Sequence, residues 1–396
     1  MSKELRIYRK YSNFVKRFLL VSGISPIRRN QSVIYRYISL WSILSCFALL
    51  CAIGNFCLQN VGNISLLIAS LALFSTVLNV VVKVCCFSIY QKKLRRVNDI
   101  LDSLLEEAVS NTRVRSVAFS SLQAFYRLIY AQAIFTTVIA TFYITKPIFE
   151  IIFRHENSTG EVQYPLPFPG AYPWIIDSTL IWQLHYLFHA NVNWFLISVS
   201  TGADAFFGYC MFRMSAILRI LAFDFETKLS SDGENKENEE YRRRIFEKCV
   251  DRHVLLLQCR DIVQKAYGAP ILLVIVTSAI GMCTLIFQTV QGNGMGIEKA
   301  MSLCYFVMKL IQTFLYTWPG DVVLSESELL RRNVYFSGWY EEKSISFAKQ
   351  FSLNLAQRPI ILKACDVMQV SLDLFVKILN TTISYYFLLE TLSNGK

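Results

Sequence analysis

Long stretches without a charged residue organise this chain. None occurs between Arg36 and Lys83, and the polar break Gln59-Asn60-Val61-Gly62-Asn63 divides that run in two. Further uncharged runs lie between Arg127 and Lys146, between Asp177 and Asp204, and between Lys265 and Glu298. Each reaches the roughly 18–20 residues that a helix needs to cross a bilayer. In lipid the backbone must satisfy its own hydrogen bonds, so these runs predict helices; the lack of period-2 alternation argues against a barrel. Two later spans are less clean. Residues 300–320 are interrupted by Lys309, and residues 378–389 are short unless 370–377 join them. The count is seven.

The polar segments carry helical spacing of their own. Leu94, Val97, Leu101, Leu104, Leu105 and Ala108 share one face, and Ile245, Phe246, Val254 and Leu257 predict a helix running into the fifth span. Spanning helices therefore extend beyond the membrane and pack there. Leu5, Tyr8, Val15, Phe18 and Leu19 predict an amphipathic helix lying on the inner leaflet. Lys3, Arg6, Arg9, Lys10, Lys16 and Arg17 leave no clean apolar region for a cleavable signal peptide.

Composition agrees: the 396 residues are 54% hydrophobic and 17% charged, with a mean hydropathy of +0.37, outside the soluble globular range. Charge then sets orientation. With seven spans, 36 of the 40 Lys and Arg residues fall on the side of the N-terminus. The positive-inside rule puts that terminus in the cytoplasm and the C-terminus outside. The net charge of +11 follows from this asymmetry and points to anionic lipid, not to nucleic acid.

Little catalytic chemistry is legible. The eleven cysteines lie in spans or inner segments and suggest neither a disulfide framework nor a C-x-x-C metal site. His185 and His189 stand four apart, a spacing that can bind a metal, but no carboxylate or Cys completes a set. No G-x-S-x-G, phosphate loop or H-E-x-x-H is present, so neither an enzyme nor a cofactor is expected. Among the Asn-x-Ser/Thr sequons, Asn157 in the long outer loop is the credible glycosylation site.

Several motifs recur in one order. Gly23-Ile24-Ser25-Pro26 precedes the first span, and Leu166-Pro167-Phe168-Pro169 with Tyr172-Pro173-Trp174 and Asp177 opens the fourth. Tyr335, Gly338, Trp339 and Tyr340 are followed by Gln357-Arg358-Pro359. The last helix reads Ser371-Leu372-Asp373-Leu374-Phe375 and finishes at Ser384-Tyr385-Tyr386-Phe387-Leu388-Leu389. Order and spacing resemble the insect odorant receptor family, over almost the whole chain. Asn380 departs from the pattern, standing where the family often has Lys. Gustatory receptors share the topology, but their T-Y-x-x-x-L-x-Q-F ending is absent. A G-protein-coupled receptor needs its N-terminus outside.

The resemblance implies an all-α membrane protein of seven transmembrane helices, extended into a cytoplasmic anchor bundle. Residues 1–36 would be a cytoplasmic segment, 37–317 the ligand-binding bundle, 318–366 the anchor, and 367–396 the pore helix with a short outer tail. It further implies a non-selective cation channel in the plasma membrane of a sensory neuron dendrite. This chain would be the tuning subunit of a tetramer with the odorant receptor co-receptor. Leu388 and Leu392 fall on the hydrophobic gate, with Asp373 and Lys377 at the inner end of the pore helix. Tyr335, Trp339, Tyr340, Arg358 and Pro359 would join subunits. A small volatile would bind in a mostly apolar pocket among the second, third, fourth and sixth spans. Candidate contacts are Ser70, Phe74, Thr137, Thr141, Trp182, Tyr186, His189, Met301 and Tyr305. Charge on the ligand is expected to be disfavoured in such a dry site.

Overall fold

The computed structural model describes residues 3–27, 33–109, 112–154, 165–229, 236–291, 296–336 and 359–394. They are nearly all helical. In chain order the helices are α1 (Lys3–Val21), α2 (Val33–Gln59), α3 (Ile64–Val109), α4 (Thr112–Ala118), α5 (Leu122–Arg154), α6 (Thr179–Asp224), α7 (Lys236–Gln291), α8 (Gly296–Tyr335) and α9 (Leu372–Asn394). A π-helical turn, Phe225–Leu229, continues α6.

Among the described residues, six helical segments are long and apolar enough to cross a membrane: Tyr37–Gln59, Ser70–Glu106, Leu122–Ile152, Thr179–Thr227, Arg243–Ile286 and Lys299–Tyr335. Each overlaps one of the first six predicted runs. The last helix, α9, has 23 residues and carries Asp373, Lys377 and Glu390. As the periodicity beyond the spans predicts, α3 and α7 run on for 46 and 56 residues; α6 and α8 are also long, at 46 and 40 residues.

Helix α6 is the axis of the bundle. From Thr201 to Leu218 every residue is buried, packed by α1, α3, α5 and α8. Helix α1 presses Tyr11, Val15 and Leu19 against this core, so its apolar face meets protein. The Tyr11 hydroxyl donates to Ala205 O at 3.4 Å. Farther along α6, buried Arg213 pairs with Asp102 of α3 at 2.5 Å, and Arg219 pairs with Glu326 of α8. Such charges are tolerated because each is partnered.

A small hairpin leads into α9. Strands Lys363–Ala364 and Met368–Gln369 pair antiparallel, and Cys365 and Asp366 turn between them at φ 49° and 59°, the left-handed geometry of a tight hairpin turn. Gln264 of α7 holds it by accepting from Lys363 N at 2.9 Å and donating to Asp366 Oδ1 at 2.5 Å. Ser327 of α8 accepts from Ile360 N at 2.9 Å. The hairpin also lies hard against α8 at Gly320, where a Cβ would come 2.5 Å from Val370 O. Only glycine permits that approach.

Candidate functional site

Between α3, α5, α6 and α8 the bundle encloses a cavity of about 80 Å³. These helices carry the second, third, fourth and sixth predicted spans. Leu73, Ile139, Ala140, Tyr143 and Leu196 supply apolar wall, and Phe168 closes one side. The polar lining is Thr76, Asn79, Thr136, Asn193, Ser200, Tyr305, Lys309 and Gln312.

The cap over this cavity comes from the proline-rich motif before α6. Prolines at 165, 167, 169 and 173 hold the segment extended, and Ser178 caps α6 by accepting from Ile181 N. Trp182 Nε1–H donates to Pro165 O at 2.9 Å. On the other side Ala171 N–H donates to Ala52 O at 3.0 Å, and Asn55 Nδ2 to Ala171 O at 3.0 Å. The cap is thereby tied to α2 and α6 together.

Two histidines of α6 latch it. Fully buried His189 accepts from Phe168 N–H through Nδ1 at 3.3 Å. Its Nε2 must then carry the proton, donated to Tyr172 Oη at 2.6 Å. His185 takes the opposite tautomer: Nε2 accepts from Trp174 Nε1–H at 2.9 Å and Nδ1–H donates to Ile181 O at 2.8 Å. Each ring thus has one nitrogen that accepts an N–H and one that donates. Burial pushes the Tyr172 hydroxyl up to about 12, so it stays protonated.

Beneath the cavity lies a buried charge cluster. Lys83 of α3 meets Asp204 of α6 at 2.6 Å, both sealed from solvent. Gln312 Nε2 donates to Asp204 Oδ2 at 3.2 Å, and the Tyr316 hydroxyl donates to Oδ1. Lys309 is 5% exposed and lines the cavity, its Nζ lying 5.7 Å from the centre of the Tyr305 ring. Tyr305 in turn shares a 2.7 Å hydrogen bond with Thr76.

Of the candidates read from sequence, Tyr305 lies in the cavity lining, and His189 stands behind Phe168 as part of the latch. The others lie outside the lining. Ser70 is bonded to Leu66 O at 2.8 Å, and Phe74 packs beside Gly54. Thr137 and Thr141 are exposed and donate to Ala133 O and Thr137 O, each at 2.8 Å. Tyr186 donates to Ile144 O at 2.7 Å, Trp182 serves the cap, and Met301 is half-buried near the start of α8. Lys309, Gln312, Asn79 and Asn193 were not among the candidates. Lys309 did leave a signal, as the charge that interrupts an apolar span.

A second recess, of about 410 Å³, flanks α8. Phe306, Leu310, Ile311 and Phe314 of α8 face Phe375, Leu379 and Ile383 of α9 across it, with Leu128 and Ile286 at its edges. On α9, Asp373 and Lys377 form an exposed 2.7 Å pair and Leu388 is 51% exposed. Tyr335 is exposed and Pro359 half-buried. Trp339, Tyr340, Arg358 and Asn157 lie outside the described residues, as does the side chain of Leu392.

Comparison with known proteins is consistent in direction. Residues 63–383 match the family model described as "7tm Odorant receptor". The odorant receptor coreceptor of Harpegnathos saltator is 26% identical over 42% of this chain and 35% of its own length. The matched region thus spans about a third of the curated co-receptor. Odorant receptor 49a of Drosophila melanogaster is 24% identical over 77% of this chain and 75% of its own. Among solved structures, the insect olfactory receptor OR5 from Machilis hrabei superposes with a TM-score of 0.77 at 17% identity, covering 98% of this chain and 99% of that one. The same receptor has been solved in complex with eugenol.

Proposed function

The chain belongs to the insect odorant receptor family, a family of multi-pass membrane receptors and not of enzymes; from that premise we propose that it is the ligand-selecting subunit of an odorant-gated cation channel. In this reading seven helices cross the membrane, α9 being the seventh, with the N-terminus in the cytoplasm. Four subunits, this chain and the odorant receptor co-receptor, surround one pore lined by α9. A small volatile enters the cavity among α3, α5, α6 and α8.

One observation carries the mechanism: α8 is the shared wall of both recesses. Tyr305, Lys309 and Gln312 face the cavity, while Phe306, Leu310 and Phe314 face α9. A ligand with higher affinity for one placement of α8 shifts the equilibrium toward it. That placement is passed to α9 through the Phe314–Phe375 contact, 5.5 Å between ring centres, and through Gly320 against the hairpin. Leu388 and Leu392, one turn apart, close the pore by keeping it dry. Tyr335, Trp339, Tyr340, Arg358 and Pro359 hold subunits together, and Asn157 accepts a glycan outside.

The test is voltage-clamp recording of cells expressing this chain with and without the co-receptor, with G-protein signalling blocked. A rapid odour-evoked cation current in the co-expressing cells alone is the expected result. Current without the partner would replace the tuning-subunit reading with a self-sufficient receptor. Leu388→Ala with Leu392→Ala should raise basal current; an unchanged closed-state conductance removes the gate from those residues.

A further inference from the structure

The floor of the cavity is charged in a way that an apolar ligand does not explain. Two lysines and one aspartate meet there within electrostatic reach of one another. Asp204 is already committed, since Lys83, Gln312 and Tyr316 all bond its carboxylate. Lys309 is left over. Among the described residues its ammonium has no ion-pair or hydrogen-bond partner, only the face of Tyr305, although the residue is 95% buried, being 5% exposed. An unpaired ammonium in a dry site is costly, and within a membrane span it marks function more often than packing.

Much of the remaining polar lining is already engaged. Asn193 donates to Ala140 O at 3.1 Å and Asn79 to Pro270 O at 3.3 Å. Thr76 and Tyr305 satisfy each other, and Gln312 donates to Asp204. Among the described residues that line the cavity, Lys309 is the one charged side chain. At about 80 Å³ the cavity is also small, below the roughly 150 Å³ that admits a benzene ring.

We propose that the ligand is a short-chain carboxylic acid bound as its carboxylate, the anionic head on Lys309 and the alkyl tail among Leu73, Ile139 and Phe168. The bound anion balances the charge cluster at two cations and two anions. This inference rests on reading the cavity as the ligand site, and it reverses the expectation that charge on the ligand is disfavoured.

The experiment measures binding apart from gating. The full chain in phosphatidylcholine nanodiscs is melted with butyrate, with its neutral isomer methyl propanoate, and with butylamine. Butyrate should raise the melting temperature and bind roughly tenfold or more tightly than methyl propanoate, the ratio expected of a charge-assisted hydrogen bond. Lys309→Met should abolish that preference without lowering the melting temperature of the unliganded chain, since it removes an uncompensated charge. Lys309→Arg should keep it. Equal binding of the two isomers, tighter binding of butylamine, no shift with any compound, or an acid preference surviving in Lys309→Met would each overturn the proposal. Butyrate binding without an evoked current would instead count against the channel reading and leave the site standing.

Discussion

The two recesses beside α8 are built from opposite materials. The cavity is ringed by side chains whose polar atoms have fixed partners: Tyr305 with Thr76, Asn193 with Ala140, Gln312 with Asp204. The groove beside α9 presents only hydrocarbon. Its one hydroxyl, on Thr382, is turned back to Ile378 O at 2.9 Å. Hydrogen bonds are directional and resist small displacements, whereas dispersion contacts tolerate sliding of one helix past another. In a bilayer the groove also costs little to open, because acyl chains are as apolar as its walls. One helix thus carries a face suited to selecting and a face suited to moving.

The largest effect separating them should come from Asp204. Asp204→Asn strands Lys83 as a buried cation without its counter-charge, and a loss of about 3–5 kcal/mol is expected. Thermal unfolding of the chain in nanodiscs should show it, and adding Lys83→Met should recover part of the loss. No single truncation in the groove should approach that figure. If one does, the groove is a structural core and not a sliding surface.

The sequence exposed the spans and the cavity lining unevenly. Charge gaps located the apolar runs because a bilayer demands them. The four helices around the cavity were legible as well. The lining residues were mostly not, and α5 shows why. A helix apolar on all sides gives no periodicity to mark its inner face. Thr137 and Thr141 are polar yet satisfy themselves on the preceding turn, so a hydroxyl there is no sign of an inward position. The lining falls instead on Thr136, Ile139, Ala140 and Tyr143. The Lys83–Asp204 pair was hidden for another reason: its partners are 121 residues apart, and separation of that kind is resolved only by the fold.

A smaller change probes the groove. Phe314 stacks on Trp318 with ring centres 5.9 Å apart and meets Phe375 edge-on at 5.5 Å. Phe314→Ala removes the aromatic link between α8 and α9, a contact of about 0.5–1.5 kcal/mol. The concentration of ligand for half-maximal current should rise by roughly 2–10-fold, by the same factor for every ligand. Dose–response curves for several ligands decide the point; a reordering of their potencies would mean that this face also selects.

The smallest expected effect lies on the cavity's cap. Tyr172→Phe keeps the ring against His185, 4.8 Å between centres, but deletes the hydroxyl that His189 Nε2–H needs. A buried donor is left unpaired, at a cost of about 1 kcal/mol. Because the cap lies over the cavity and away from the groove, the loss should appear in ligand residence and not in the resting equilibrium of α9. Ligand wash-out should quicken by roughly fivefold, the rate equivalent of that energy, with basal current unchanged. A rise in basal current would tie the cap to α9, and the division of labour across α8 would fail at its simplest point.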